Sequence, residues 1–193
     1  MLSNVHFDHS ERRQPRAFHH IRFNKDVFMI NTSSVIFMNS DFRERLVIIS
    51  TESMSSAIDF LDGGSRLTNI STSIFDSKLR KGISIDMGTT DEKTRSQIRL
   101  ERSEIWPSNL GRGSRLSSNG LTSFNVRNNR FYGSGRVSLL TEQTDDINIS
   151  GNHFGDKITE IRVRGIEDIN TTILEDNVFN NPVLLDLGQL TSS

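Results

Sequence analysis

One phrase of apolar and polar positions recurs along this chain: apolar-x-apolar-x-x-(Asn/Ser)-x-(Phe/Ile). It is written at 97–105 (Ile98, Leu100, Ser103, Ile105), 123–131 (Phe124, Val126, Asn129, Phe131), 146–154 (Ile147, Ile149, Asn152, Phe154) and 171–179 (Leu174, Asn177, Phe179). The closing residues Ile105, Phe131, Phe154 and Phe179 are 26, 23 and 25 positions apart. A period in the range of about 20–50 residues marks a solenoid. Weaker copies precede these: Leu67 to Phe75 with Ile70 and Ser73, Val35 to Phe42 with Phe37 and Ser40, and Ile21 to Phe28 with Asp26.

A second apolar segment follows most copies: Leu46 to Ile49, Ile83 to Met87, Val137 to Leu140, Ile161 to Val163 and Val183 to Leu187. Several alternate with period two, as in Ile83, Ile85 and Met87, which predicts half-buried strands. Each repeat therefore reads as strand, tight turn, strand and loop, with no helical period. Consecutive copies must run parallel, and parallel crossovers are right-handed in nearly all cases. The expectation is an all-β chain: a right-handed, single-stranded parallel β-helix of roughly seven coils with little or no helix.

Two inner columns follow: Phe37, Ile70, Leu100, Val126, Ile149 and Leu174, and then Phe42, Phe75, Ile105, Phe131, Phe154 and Phe179. A polar column runs through Asp26, Ser40, Ser73, Ser103, Asn129, Asn152 and Asn177. Asn tolerates left-handed backbone and can bond to the coils above and below, so this column is read as structural. One β-helix domain over 1–193 is expected, with an irregular first coil or cap at 1–30, clear repeats at 35–187, and inserted loops at 51–66 and 107–121. The second loop is rich in Gly, Ser and Arg, and solenoid insertions map to loops.

The unit Ile147-Asn148-Ile149-Ser150-Gly151-Asn152-His153-Phe154 resembles the repeat of right-handed β-helix, pectin-lyase-like proteins. The resemblance covers 35–187, and 1–34 more weakly. It implies the fold; for function it spans polysaccharide lyases, hydrolases and epimerases, phage tailspikes, adhesins and structural repeats. It also points to an extracellular or particle-surface location.

Composition narrows little. The hydrophobic fraction is 34 % and the net charge −1, which suits an elongated solenoid and gives no overall signal for nucleic acid. The charge is uneven: residues 96–136 hold seven Arg and two Glu, whereas 140–193 hold three basic and ten acidic residues. There is no cysteine, hence no disulfide framework or thiolate site. No apolar run is long enough for a membrane-spanning helix, and no basic or apolar signal segment follows Met1. The five histidines show no metal-ligand spacing, and no Gly-rich phosphate loop opens a helix. No cofactor or metal is expected.

Trp106 and Tyr132 are the only Trp and Tyr, each one residue past the Phe column on adjacent coils. An aromatic platform there, beside Arg99, Arg102, Arg127 and Arg130, would stack a sugar ring and hold anionic groups; the plainer alternative is that the two rings pack on each other. Glycosidic chemistry wants two carboxylates at a defined separation. Asp145 and Asp146 are candidates, with Arg162 and Arg164 as an arginine base of the kind polysaccharide lyases use. Asp86 and Asp186 share a strand position, but Leu140 and Arg164 are expected between them.

Two functions remain open. The favoured one is a non-enzymatic structural or binding module, for carbohydrate or as part of a larger surface or tailspike-like protein, the last implying a trimer. The other is a polysaccharide lyase or glycoside hydrolase. After Leu187 only six residues remain, too few for a capping helix, so the last coil is expected to meet a protein partner or a second copy, or to continue into more chain.

Overall fold

The computed structural model describes residues 6–7, 16–30, 34–51, 69–88, 95–106, 113–132, 136–155, 159–164 and 172–186, which hold strands and turns and no helix. A lead-in strand, β1 (His6–Phe7), precedes seven coils of three strands each. They are β2 (Arg16–His19), β3 (Arg22–Phe23) and β4 (Val27–Ile30); β5 (Ser34–Met38), β6 (Asp41–Phe42) and β7 (Leu46–Thr51); β8 (Asn69–Phe75), β9 (Lys78–Leu79) and β10 (Ile83–Gly88); β11 (Arg95–Glu101), β12 (Glu104–Ile105) and β13 (Ser114–Asn119). The last three are β14 (Ser123–Arg127), β15 (Arg130–Phe131) and β16 (Val137–Glu142); β17 (Asp146–Ser150), β18 (His153–Phe154) and β19 (Thr159–Arg164); β20 (Thr172–Glu175), β21 (Val178–Phe179) and β22 (Val183–Asp186). Every third strand pairs in parallel, giving a first wall (β2 to β20), a short wall (β3 to β21) and a third wall (β1 to β22). The chain is a three-walled β-solenoid of seven coils. The repeat has one strand more than expected: a two-residue strand after the first corner carries the Phe column.

Alternation along each strand sends every second side chain inward. Phe18, Phe37, Ile74, Leu100, Val126, Ile149 and Leu174 stack down the first wall. Phe23, Phe42, Leu79, Ile105, Phe131, Phe154 and Phe179 stack down the short wall. Met29, Ile48, Ile85, Leu116, Leu139, Ile161 and Leu185 stack down the third. Phe131, Phe154 and Phe179 lie ring on ring at 4.9 Å, and Phe23 on Phe42 at 4.8 Å, the spacing of neighbouring strands.

The polar column closes the first corner. The N–H of Ser40 donates to Ser77 Oγ (3.1 Å), Ser77 to Ser103 Oγ (3.1 Å), Ser103 to Asn129 Oδ1 (2.9 Å), Asn129 to Asn152 Oδ1 (3.0 Å) and Asn152 to Asn177 Oδ1 (3.1 Å). The serine hydroxyls donate to a carbonyl of their own coil, two residues back. The longer asparagine side chains donate to the coil before: Asn129 to Leu100 O, Asn152 to Val126 O and Asn177 to Ile149 O, each at 2.7 Å. Left-handed backbone falls one residue earlier than the sequence suggests. It lies at His20, Asn39, Asp76, Arg102, Asn128, Gly151 and Asp176 rather than at the ladder position itself.

This corner explains why two early copies sit in a different register. In the third coil Ile74, Ser77 and Leu79 take the places expected for Ile70, Ser73 and Phe75. A slip of four residues preserves the in–out alternation, so polarity alone does not reject the other frame. The corner does: the expected frame would put β-branched Thr72 at positive φ, whereas the observed one puts Asp76 there at 49°. In the first coil Phe18, Ile21 and Phe23 take the column positions, so Asp26 is not a ladder residue and Phe28 is 38 % exposed. Asp26 instead accepts from Arg45.

Within 107–121, expected as a loop, Ser114–Asn119 form the third-wall strand of the fourth coil, with Ser114, Leu116 and Ser118 buried. Gly113 (φ 71°) starts it; a Cβ there would lie 2.1 Å from the Arg136 carbonyl oxygen. Its serines hid this strand, because only Leu116 carries an apolar signal inward. Residues 107–112, and the stretch 52–66 of the other expected loop, lie outside the described residues.

Chemical denaturation checks the register. Leu79→Ala is expected to cost about 2–5 kcal/mol, as truncation of a buried aliphatic does, and Phe75→Ala clearly less; equal losses would restore the rejected frame. On the same assay Phe154→Ala should cost about 3–5 kcal/mol and Asn152→Ala about 1–3 kcal/mol from orphaned corner groups. Two neutral results there would mean the columns are misassigned.

Candidate functional site

The second corner begins one residue past the Phe column. Here the N–H groups of Arg43, Arg80, Trp106, Tyr132, Gly155 and Asn180 each donate to the column residue of the coil before: Phe23, Phe42, Leu79, Ile105, Phe131 and Phe154. These six positions therefore form one vertical row on the outside of the solenoid. Trp106 and Tyr132 stack with centroids 5.0 Å apart and planes 20° from parallel. Above them the Arg80 guanidinium lies 5.8 Å from the indole centre and is held by Asp41 at 2.7 Å. Arg130, on the outer face of the short wall, donates a hydrogen bond to the Tyr132 hydroxyl, which raises the guanidinium pKa. Both rings are half-buried. Packing of the two rings on each other is thus realised.

The other three expected arginines are elsewhere. Arg99 and Arg127 project from the outer face of the first wall, and Arg102 stands at the first corner. All three converge on the Glu101 carboxylate, at 2.8, 2.7 and 3.2 Å. Glu101 is 4 % exposed. Burial pushes its carboxyl up, but hydrogen bonds from Arg127 and Arg99 outweigh that and hold it below the ordinary value of 4.5. Arg102 also grips Asp76 at 2.8 and 2.9 Å, which lowers the Asp76 pKa. Arg99 and Arg102 lie over the Phe75 ring at 5.2 and 5.8 Å.

Asp145 and Asp146 are exposed at the third corner. The Asp145 N–H donates to Leu121 O, and the Asp146 carboxylate accepts from Ser123 Oγ. Arg162 and Arg164 project from the third wall, and both reach Asp186, at 3.2 and 2.9 Å. Arg162 also meets Glu160 at 3.0 Å, and Glu160 is shared with Arg136 and Ser138. Among the described residues no ion pair joins Asp145 or Asp146 to either arginine. The column between Asp86 and Asp186 holds Ser117, Leu140 and Arg162, so Arg162 occupies the place expected for Arg164. Among the described residues no group of three or more His, Asp or Glu side chains could hold a metal.

Glu101 and Glu160, the best-buried carboxylates of the outer walls, escaped the sequence reading. Their signal is spacing: Arg99-x-Glu101 and Glu160-x-Arg162 place opposite charges on one face of a strand. No protein-family model matches the chain, and neither a curated protein nor a solved structure does.

The Glu101 cluster makes acid stability testable. A carboxyl whose folded pKa is depressed contributes stability above its unfolded value, and that contribution is lost as pH falls through the folded pKa. Thermal melts should therefore hold steady above about pH 5 and fall below the ordinary carboxylate value near 4.5. Glu101→Gln should melt lower at pH 7, with a shallower decline in acid. An unchanged acid limb would remove Glu101 from this role.

Proposed function

We propose that this chain is a non-enzymatic β-solenoid module of the pectin-lyase-like kind that binds carbohydrate as part of a larger surface or tailspike-like assembly. The observation that carries the reading is the Trp106–Tyr132 stack, set half-exposed on an outer corner. Paired aromatic rings offer a flat apolar face with polar edges, which suits the CH face of a sugar. The lyase or hydrolase reading has less support. Its arginines are occupied by Glu160 and Asp186, and its carboxylates Asp145 and Asp146 stand on a corner rather than across a groove from each other. On the structural side, the seventh coil leaves Val178, Leu184 and Leu185 more than half exposed beside a strand edge suited to pairing with a further parallel coil.

A glycan array with the intact chain and with a variant carrying both Trp106→Ala and Tyr132→Ala tests the binding half. Binding that the double variant loses is the expected result. Assaying the bound glycan for new reducing ends or unsaturated products tests the other half, and turnover would replace this reading with the enzymatic one.

A further inference from the structure

We propose that a sugar ring stacks on the face of Tyr132 turned away from Trp106, in the gap that Gly155 leaves in the outer row. The inference rests on the carbohydrate reading above and gives it an address. Among the described residues, the side chains down the row run Arg80, Trp106, Tyr132, then none at Gly155, then Asn180, all held in register by the same backbone bonds. Trp106 covers one face of Tyr132 at 5.0 Å; on the other face the next position has no side chain. Coil spacing on the adjacent Phe column is 4.9 Å for each of the two steps from Phe131 to Phe179. Tyr132 and Asn180 are thus about 10 Å apart along the row, two strand spacings. That admits one ring in contact with Tyr132 at about 3.5–4.0 Å, with Asn180 as its floor.

The rim supplies hydrogen bonds for hydroxyl groups. His153 Nε2 and Asn180 Oδ1 face each other at 3.4 Å, a long contact that a hydroxyl can replace by bonding to both. Among the described cations of the short wall and its row, Arg80 is paired with Asp41, and Arg130 donates to the Tyr132 hydroxyl while keeping its charge. The Tyr132 face and the His153–Asn180 rim act through stacking and neutral hydrogen bonds, so a neutral saccharide suffices. Gly155 is not among the residues at positive φ, so its backbone accepts a side chain, and filling the gap is a clean test.

The single tryptophan lies against Tyr132, and its fluorescence reports on the site. The intact chain is titrated with hexamers of β-glucan, α-glucan, xylan, mannan and N-acetylglucosamine, and with an acidic oligogalacturonate, at low and high salt. At least one neutral hexamer is expected to bind with little salt dependence. Gly155→Leu and Tyr132→Ala should each weaken it by about tenfold or more, as loss of an aromatic stacking platform does. Arg115→Gln on the third wall should bind as the parent does, with circular dichroism and melting confirming that each variant is folded. Saccharide binding that Gly155→Leu leaves intact overturns the gap and spares the carbohydrate reading. Binding confined to the acidic oligomer and abolished by salt also overturns the gap, in favour of a charged site. Binding of no saccharide removes both.

Discussion

At the first corner of each coil from the second to the sixth, a backbone N–H is satisfied by a side-chain oxygen of the following coil. Buried N–H groups without partners are expensive, so this need sets the register from one coil to the next. Once Ser77, Ser103, Asn129, Asn152 and Asn177 are aligned, the Phe column two residues on is aligned as well. The outer row one residue beyond that follows. The rings of Trp106 and Tyr132 are face to face because a buried corner elsewhere in the coil leaves them no other height.

The outer walls obey a different constraint. Parallel stacking brings residues of neighbouring coils to within about 5 Å, so a charge on one coil meets whatever stands at the same place on the next. The described arginines of the first and third walls mostly meet carboxylates: Glu101 gathers Arg99, Arg102 and Arg127, while Glu160 and Asp186 gather Arg136, Arg162 and Arg164. Of the seven arginines over 96–136, Arg99, Arg102, Arg127 and Arg136 are thus tied to carboxylates. The second corner differs: in its row the stacked Trp106 and Tyr132 are followed by Gly155, which has no side chain, and this contrast is why the proposed ligand is placed there.

Much of the architecture was legible because Phe and Asn recur at one spacing and each has a single good place in a coil. Coils four to seven, where Ile105, Phe131, Phe154 and Phe179 close the phrase, fell in the register read from the sequence. The first and third coils did not, for lack of those markers: Ile21 carries no polar group at the ladder position, and Leu79 stands where a Phe was sought. The strand at 114–119 was hidden by serines whose hydroxyls are buried, one of them bonded to a neighbouring coil's hydroxyl, Ser118 to Thr141 at 2.7 Å. At the site, the adjacency of Trp106 and Tyr132 could be read from spacing alone. The destination of the arginines could not, because it depends on which wall each strand occupies, and the sequence did not show the short wall.

The change from serine to asparagine along the ladder divides the solenoid mechanically. In the second to fourth coils the ladder hydroxyl ties back into its own turn, so there the ladder side chain adds one bond between turns to those of the backbone. In the fifth to seventh the amide also grips a carbonyl of the turn before, adding a rivet at each level. Each asparagine level therefore carries a side-chain bond between turns that a serine level lacks. Tyr132, Gly155 and Asn180 all belong to those asparagine turns, so the spacing of the row beside Tyr132 is tied by the added bonds as well as by the backbone.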